Sequence, residues 1–392
     1  MVQLMNGITA AMNLSTNSTP NFTRGPPFVP DFCGSYTNDT GKIAYAVFLA
    51  VVMVLSILGN TLICIAIFLS PRLRETPTNH FIFSLSLSDM CYAIFQTPIR
   101  ISTILHTNAF CHPASVCYMY VLTDLILTPA TITTLFVIAI DRFFCITKPF
   151  IYQETMTKTK AKVIVCCVWA YAVIWSAMST FQWNEPTKLS IHLKKVGVPR
   201  CFIENKYFYF TSYFLITLIP LVIMGILYVI ILRVAIVQIR AIRATEVHFS
   251  NPESEKKDRK YAKISKSSRR TNRELKATAT LAIVYGAFFV CWMPLSIINI
   301  YIAFGDRTAF ARLKQNNEHL FLFIFYMFFE ILPTLSTAIN PLIYNVFNRQ
   351  FRSAFVAVML RLARRNDVLR RTTIVTELEN SRMDHGGRTS AS

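Results

Sequence analysis

Apolar residues gather into seven long stretches of this chain, at roughly 42–69, 78–106, 114–146, 159–181, 206–240, 273–304 and 318–345. Each is predominantly apolar for about 20 positions or more, the length an α-helix needs to cross the ~30 Å hydrocarbon core of a bilayer. Mostly short polar segments separate them, so consecutive helices are expected as antiparallel neighbours. The predicted fold is all-α: a seven-transmembrane helix bundle whose odd number of crossings puts the two termini on opposite sides. Residues 1–41 precede the bundle, 42–362 form it with a short amphipathic eighth helix, and 363–392 read as a disordered tail. In "NRQFRSAFVAVMLRLARR", Phe351, Phe355, Met359 and Leu362 share one side and arginines the other, the pattern of a helix lying on a membrane surface. Residues from about 244 to 272 are charged, Ser-rich and poor in apolar positions, and read as a mobile loop between extended fifth and sixth helices.

Composition agrees with the pattern. The 392 residues are 53% hydrophobic and only 16% charged, which excludes an ordinary soluble domain. A formal charge of +19 raises the question of nucleic acid, and its placement answers it. Arg72, Arg74, Lys158, Lys160, Lys162, the "KKDRKYAKISKSSRR" run and the arginines after position 348 all fall on one side of the predicted bundle. By the positive-inside rule that side is cytoplasmic, and basic segments beside spans meet anionic membrane lipids. No nucleic-acid-binding signature accompanies them. The opposite side carries Asn-x-Ser/Thr acceptors at Asn13, Asn17, Asn21 and Asn38, so the N-terminus is expected outside and glycosylated. This is the arrangement of a multi-pass plasma-membrane protein with a cytoplasmic C-terminus.

Four cysteines lie outside the spans, Cys33, Cys111, Cys117 and Cys201, and in an oxidising compartment they can pair in three ways. Cys117 with Cys201 is the favoured bridge, because it ties the longest outer loop over the bundle. Cys33 with Cys111 is then a second.

Ionisable groups at membrane depth invite a functional reading. Asp89 sits in the middle of "FSLSLSDMCYAIF", with Asn60, Thr131, Ser336 and Asn340 as candidate oxygen partners. That donor set suits a small hard cation such as sodium, the one metal or cofactor expected here, and as an allosteric ion. Asp124 and Arg142 bracket the third stretch. Eighteen residues make five helical turns, so the two leave the same helix face about 27 Å apart. Pro294 and Pro341 each remove a backbone hydrogen bond in mid-helix and mark hinges. Trp292 lies close to the first of them. Glu274, at the cytoplasmic start of the sixth stretch, is a candidate ion-pair partner for Arg142.

Together, Gly59-Asn60, "SLSLSD" ending at Asp89, "DRF" at 141–143, Trp169, Pro220, Tyr228, "CWMP" at 291–294 and "NPLIY" at 340–344 resemble the rhodopsin-like G-protein-coupled receptors. The resemblance runs through all seven stretches in order. It implies an outer ligand pocket and an inner surface that binds a heterotrimeric G protein when the sixth helix swings outward. It further implies arrestin and receptor kinases as partners, and Asp141, Arg142, Tyr228 and Tyr344 as groups that rearrange. Phe143 stands where the family more often has tyrosine.

Asp124 matches the acid with which biogenic-amine receptors hold a protonated amine, and Ser212 matches a position that meets ring hydroxyls in them. Thr128, Trp292, Tyr301, Tyr326 and the second acid Glu330 complete a pocket for a small extracellular cation, the two tyrosines by cation–aromatic contact. Leu295, Ser296 and Thr334 depart from the amine pattern, and so does Pro129, which is expected to interrupt the third stretch. The sixth stretch is similar to that of adenosine receptors, in which Asn299 matches an asparagine that grips adenine. However, Ile203 and Thr334 stand where those receptors carry phenylalanine and histidine. A biogenic amine is the leading expectation, with an adenosine-like or peptide ligand as the alternative within the fold. A channel or transporter is the alternative outside it, with Asp89, Asp124 and Glu330 as an ion path. The seven histidines show no metal or catalytic spacing, so no enzyme is expected.

Overall fold

The computed structural model describes residues 33, 36–106, 109–180, 191–194, 199–203, 206–249, 258–304, 312, 315–348 and 350–361. Seven helical rods cross the bundle. The first is Thr40–Leu69, opened by Asp39, whose carboxylate accepts from the backbone N–H of Gly41 at 2.9 Å. It has two apolar faces. Leu49, Val52, Ser56, Asn60 and Ile63 are buried against the bundle, while Val47, Val51, Val54 and Leu58, spaced one turn apart, are exposed. For a helix with lipid as its solvent, an outward stripe of this kind replaces the charged face of a soluble helix.

The second span is divided. Pro77–Phe95 and Thr97–Leu105 abut at Gln96, because Pro98 has no N–H for the carbonyl one turn before it. Gln96 ties the break to the third span, its amide donating to the Tyr120 carbonyl at 2.8 Å and to Thr123 Oγ1 at 2.6 Å. The third span, Ala114–Thr147, is one helix straight through Pro129. The expectation that this proline interrupts it is therefore corrected. One missing donor in a 34-residue rod, with Pro129 itself buried, does not break it.

The fourth span is Lys158–Met178. The fifth begins at Lys206–Ser212, passes through a π-helical segment, Tyr213–Leu218, and continues as Ile219–Phe249. The sixth is Asp258–Phe304, and the seventh consists of Glu318–Phe325, a second π segment Tyr326–Ile331, and Leu332–Phe347. Each π segment ends two residues before a proline, Pro220 or Pro333. A proline that cannot donate to the preceding turn leaves a carbonyl to be taken up by a longer-range bond. Among the described residues, five helices qualify as membrane spans by length and hydropathy alone. The second and seventh are not among them.

The third span is the axis, packed against the second, fourth, fifth and sixth, while the seventh closes on the first, second and sixth. At one end, β1 (Ile191–Lys194) pairs antiparallel with β2 (Arg200–Ile203), and Cys201 of β2 is bonded to Cys117 at the start of the third span. A second disulfide joins Cys33 to Cys111. The sequence reading did not contain this hairpin.

Two further expectations are corrected. The charged segment at 244–272 is largely helical, with the fifth span reaching Phe249 and the sixth starting at Asp258. Lys, Arg, Glu and Ala are good helix formers even where no apolar face is needed. After the seventh span, Asn348 caps a helix at residues 350–361, its Oδ1 accepting from the backbone N–H groups of Gln350 at 3.0 Å and Phe351 at 3.3 Å. Its inward stripe is Phe351, Phe355 and Val358, whereas Met359 is exposed beside Val356 and Leu360. The i, i+4, i+7 set packs against the bundle, and Met359 belongs to the outward apolar face. Leu362 lies outside the described residues.

Candidate functional site

Beneath the hairpin the second, third, fifth, sixth and seventh spans surround a half-open cavity of about 160 Å³. Asp124 and Thr128, one helical turn apart on the third span, both line it, and the Thr128 hydroxyl donates to Asp124 Oδ1 at 3.3 Å. Ser212 enters from the fifth span, its Oγ accepting from Trp175 Nε1 at 3.1 Å. Trp292 and Asn299 enter from the sixth. The Asn299 amide is engaged at both ends: Oδ1 accepts from the Tyr209 hydroxyl at 3.1 Å, and Nδ2 donates to the Leu295 carbonyl at 2.9 Å. Tyr301 lies 43% exposed and does not line the cavity. Tyr326 and Glu330 fall in the second π segment, and their side chains lie outside the described residues.

One lining residue escaped the sequence reading. Arg100 of the second span is only 8% exposed, donates from Nη1 to Thr334 Oγ1 at 2.8 Å and from Nη2 to the Tyr92 hydroxyl at 3.2 Å, and its charge acts on Asp124. The signal was present in "QTPIRISTIL", where an arginine stands inside an apolar run.

Below the cavity, Trp292 stacks on Phe288 with ring centroids 5.4 Å apart, and its Nε1 donates to Ser336 at 3.3 Å. There the interior turns polar. Asn340 Nδ2 donates to Asp89 Oδ2 at 2.7 Å, and the Thr131 hydroxyl donates to Ser88 at 2.9 Å. Asn60 turns to the seventh span, donating to the Thr337 carbonyl at 3.0 Å, and makes no described bond to Asp89. Pro294 and Pro341 lie inside helices that continue past them.

At the far end Asp141 is a three-way acceptor. Arg142 pairs with its Oδ2 at 2.6 Å, Thr78 donates to the same oxygen at 2.7 Å, and the Tyr152 hydroxyl donates to Oδ1 at 2.6 Å. Arg142 also donates to Thr78. Burial pushes the Tyr152 phenol well above its ordinary pKa, so it keeps the proton that it donates. Tyr228 stacks on Tyr285 with centroids 4.8 Å apart, and Tyr285 donates to the Leu221 carbonyl at 2.9 Å. Tyr344 is fully buried against Phe351, and its hydroxyl has no hydrogen-bond partner among the described residues. The Glu274 side chain lies outside the described residues, as do Asn13, Asn17 and Asn21, while Asn38 is exposed. The described residues hold no cluster of His, Cys, Asp and Glu arranged for a metal.

Comparison with known proteins matches residues 59–344 to the family "7 transmembrane receptor (rhodopsin family)". Among curated relatives, the chain is 28% identical to the adenosine receptor A2a of Canis lupus familiaris over 348 residues, covering 86% of this chain and 74% of the relative. It is 29% identical to the histamine H2 receptor of Cavia porcellus over 330 residues, 83% and 82% of the two chains. It is 30% identical to the D(1A) dopamine receptor of Didelphis virginiana over 332 residues, 81% and 73%.

Proposed function

Because this chain belongs to the rhodopsin family of seven-transmembrane receptors, we propose that it binds a small extracellular cation, a biogenic amine, and activates a heterotrimeric G protein by outward movement of the sixth span. In this reading the hairpin end faces outside the plasma membrane with the N-terminus. The Arg142 end faces the cytoplasm, where the basic segments meet anionic lipid and where arrestin and receptor kinases act.

The observation that carries the reading is the placement of Asp124 on the wall of the half-open cavity. A carboxylate among apolar side chains is costly unless cations compensate it; Arg100 acts on Asp124 from the same cavity wall, and a ligand ammonium adds to that compensation. The cavity, about 160 Å³, is close to the ~150 Å³ that accommodates a benzene ring, which suits a one-ring amine better than a peptide. A purine is the second reading, supported by the similarity to adenosine receptors. Against it, both ends of the Asn299 amide are already engaged within the protein.

Transmission follows from differential binding. A ligand shifts the bundle only by as much as it binds one arrangement better than the other. Contacts at Asp124 and Trp292 reach the sixth and seventh spans through the Trp292–Ser336 bond, and the third span leads on to Arg142, about 27 Å along its axis. Release of Arg142 from Asp141 and Thr78 then opens the cytoplasmic end. Asp89, buried and with one described hydrogen bond, from Asn340, suits a sodium ion, with Thr131, Ser336 and the Asn340 amide oxygen as the other groups that would hold it. Such an ion supplies a counter-charge that favours the closed arrangement.

The test is to challenge expressing cells with a panel of amines and with adenosine, reading cyclic AMP and calcium. A response to an amine with adenosine silent is expected. A response to adenosine alone overturns the amine, and a ligand-gated current that persists without G protein overturns signalling as the mechanism.

A further inference from the structure

A second cavity, of about 700 Å³, lies at the Arg142 end of the bundle, between the close of the first span and the helix at residues 350–361. One wall is the last turn of the first span with the short helix Pro71–Arg74, and the other is a single stripe of the 350–361 helix running from Gln350 to Arg361. Both walls are held in place. Asn79 Nδ2 donates to the Leu73 carbonyl at 2.8 Å on one side, and Phe351 and Phe355 are buried in the bundle on the other. Midway along the stripe stand Ala354 and Ala357, whose one-carbon side chains leave the cleft open.

Each wall brings one charge to this space, Arg72 from the short helix and Arg361 from the stripe, and no acid is among the described lining residues. Glu75, the acid nearest to Arg72 in sequence, is paired with Lys158 at 2.7 Å. Neither guanidinium has an ion-pair partner among the described residues. Two like charges on one cleft attract an anion to it. A guanidinium meets phosphate oxygens with paired N–H donors, which makes phosphate the anion best matched to arginine. The flank of the cleft says what carries the phosphate. Phe68 and Leu69 at the end of the first span, and Val356, Met359 and Leu360 of the helix, are exposed large apolar residues, the surface of a helix that lies against lipid.

We propose that this cleft binds a phospholipid whose headgroup carries phosphate monoesters, with phosphate oxygens at Arg72 and Arg361 and acyl chain against Phe68 and Leu69. A phosphodiester brings a single negative charge and matches one arginine, whereas a monoester carries nearly twice that and suits the pair. The proposal rests on the orientation given above, in which the Arg142 end is cytoplasmic and meets the anionic leaflet. It does not depend on which messenger occupies the Asp124 cavity.

The test is binding of fluorophore-labelled phosphatidylinositol 4,5-bisphosphate to the purified full-length protein, read by anisotropy, with melting temperatures to show that each variant is folded. Arg72→Gln/Arg361→Gln is expected to bind about tenfold or more weakly than wild type, while Lys160→Gln/Lys162→Gln, which removes the same charge elsewhere on that side, binds as wild type does. Ala357→Trp fills the cleft without changing its charge, and it too should weaken binding. Equal losses in the two charge variants, or undiminished binding by Ala357→Trp, overturn the cleft as the site. Soluble inositol 1,4,5-trisphosphate binding as tightly as the lipid overturns the lipid in favour of a free anion. Hexaglutamate displacing the lipid at equal concentration overturns it in favour of an acidic protein segment. None of these measurements uses an agonist, so a protein that answers to amines and binds no lipid refutes this proposal and leaves the amine reading standing.

Discussion

Gly59 and Pro341 meet where the first and seventh spans cross, so closely that a Cβ placed on Gly59 lies 2.7 Å from the Cβ of Pro341. The next residue, Asn60, hydrogen-bonds the Thr337 carbonyl of the same span. A hydrogen only fits at position 59, and this contact brings the Asn60 amide within reach of its partner.

Gly59→Val is therefore expected to push the first span off the seventh, with an overpacking cost of about 1–3 kcal/mol. The readout is the melting temperature of purified protein in nanodiscs. A melting temperature equal to wild type removes the close crossing from this account.

Asn340→Ala withdraws the described hydrogen bond to the buried Asp89 carboxylate. Stranding that group should cost about 1–3 kcal/mol, and Asp89→Asn in the same background should recover part of the loss. Additive losses in the double-mutant cycle indicate that the pair does not interact.

If Asp89 holds sodium, exchanging sodium for N-methylglucamine at constant ionic strength lowers the melting temperature of wild type and leaves Asp89→Asn unchanged, because a ligand that binds only the folded form stabilises it. Equal sensitivity of the two proteins excludes the site.

Tyr152→Phe removes one of the donors that hold Asp141, and through Asp141 it loosens Arg142. A loss of about 1.5 kcal/mol from the closed arrangement enlarges a small open population roughly tenfold. Ligand-independent signalling should rise accordingly. Basal output at or below wild type shows that the Asp141 cluster does not restrain activation.

The seven spans are legible in the sequence because lipid demands long apolar runs, and their observed limits lie close to the predicted ones, except that the fifth runs on to Phe249 and the sixth begins at Asp258. Asp124, Thr128, Ser212, Trp292 and Asn299, chosen from residue chemistry and resemblance, line one cavity. What escaped depends on properties that hydropathy does not record. Arg100 lies toward the end of its apolar stretch and was not considered from the sequence, whereas its bonds to Thr334 and Tyr92 hold the side chain inside. The π segments follow from prolines acting on the turn before them. The hairpin depends on Cys201 being fixed to Cys117, and its four-residue strands are too short for an alternating pattern to stand out. The charged stretch before the sixth span is helical by backbone propensity, which a search for apolar periodicity overlooks. Met359 shows the remaining difficulty: three apolar sides of one short helix are available, and only packing decides which turns inward.

The most direct test of the central claim is the potency of the activating amine-bearing ligand at Asp124→Ala relative to wild type, with surface expression matched by an N-terminal epitope. The account predicts a loss of at least tenfold, about 1.4 kcal/mol or more of binding free energy. An unchanged concentration-response curve contradicts it, because the messenger's cation then rests on some other group.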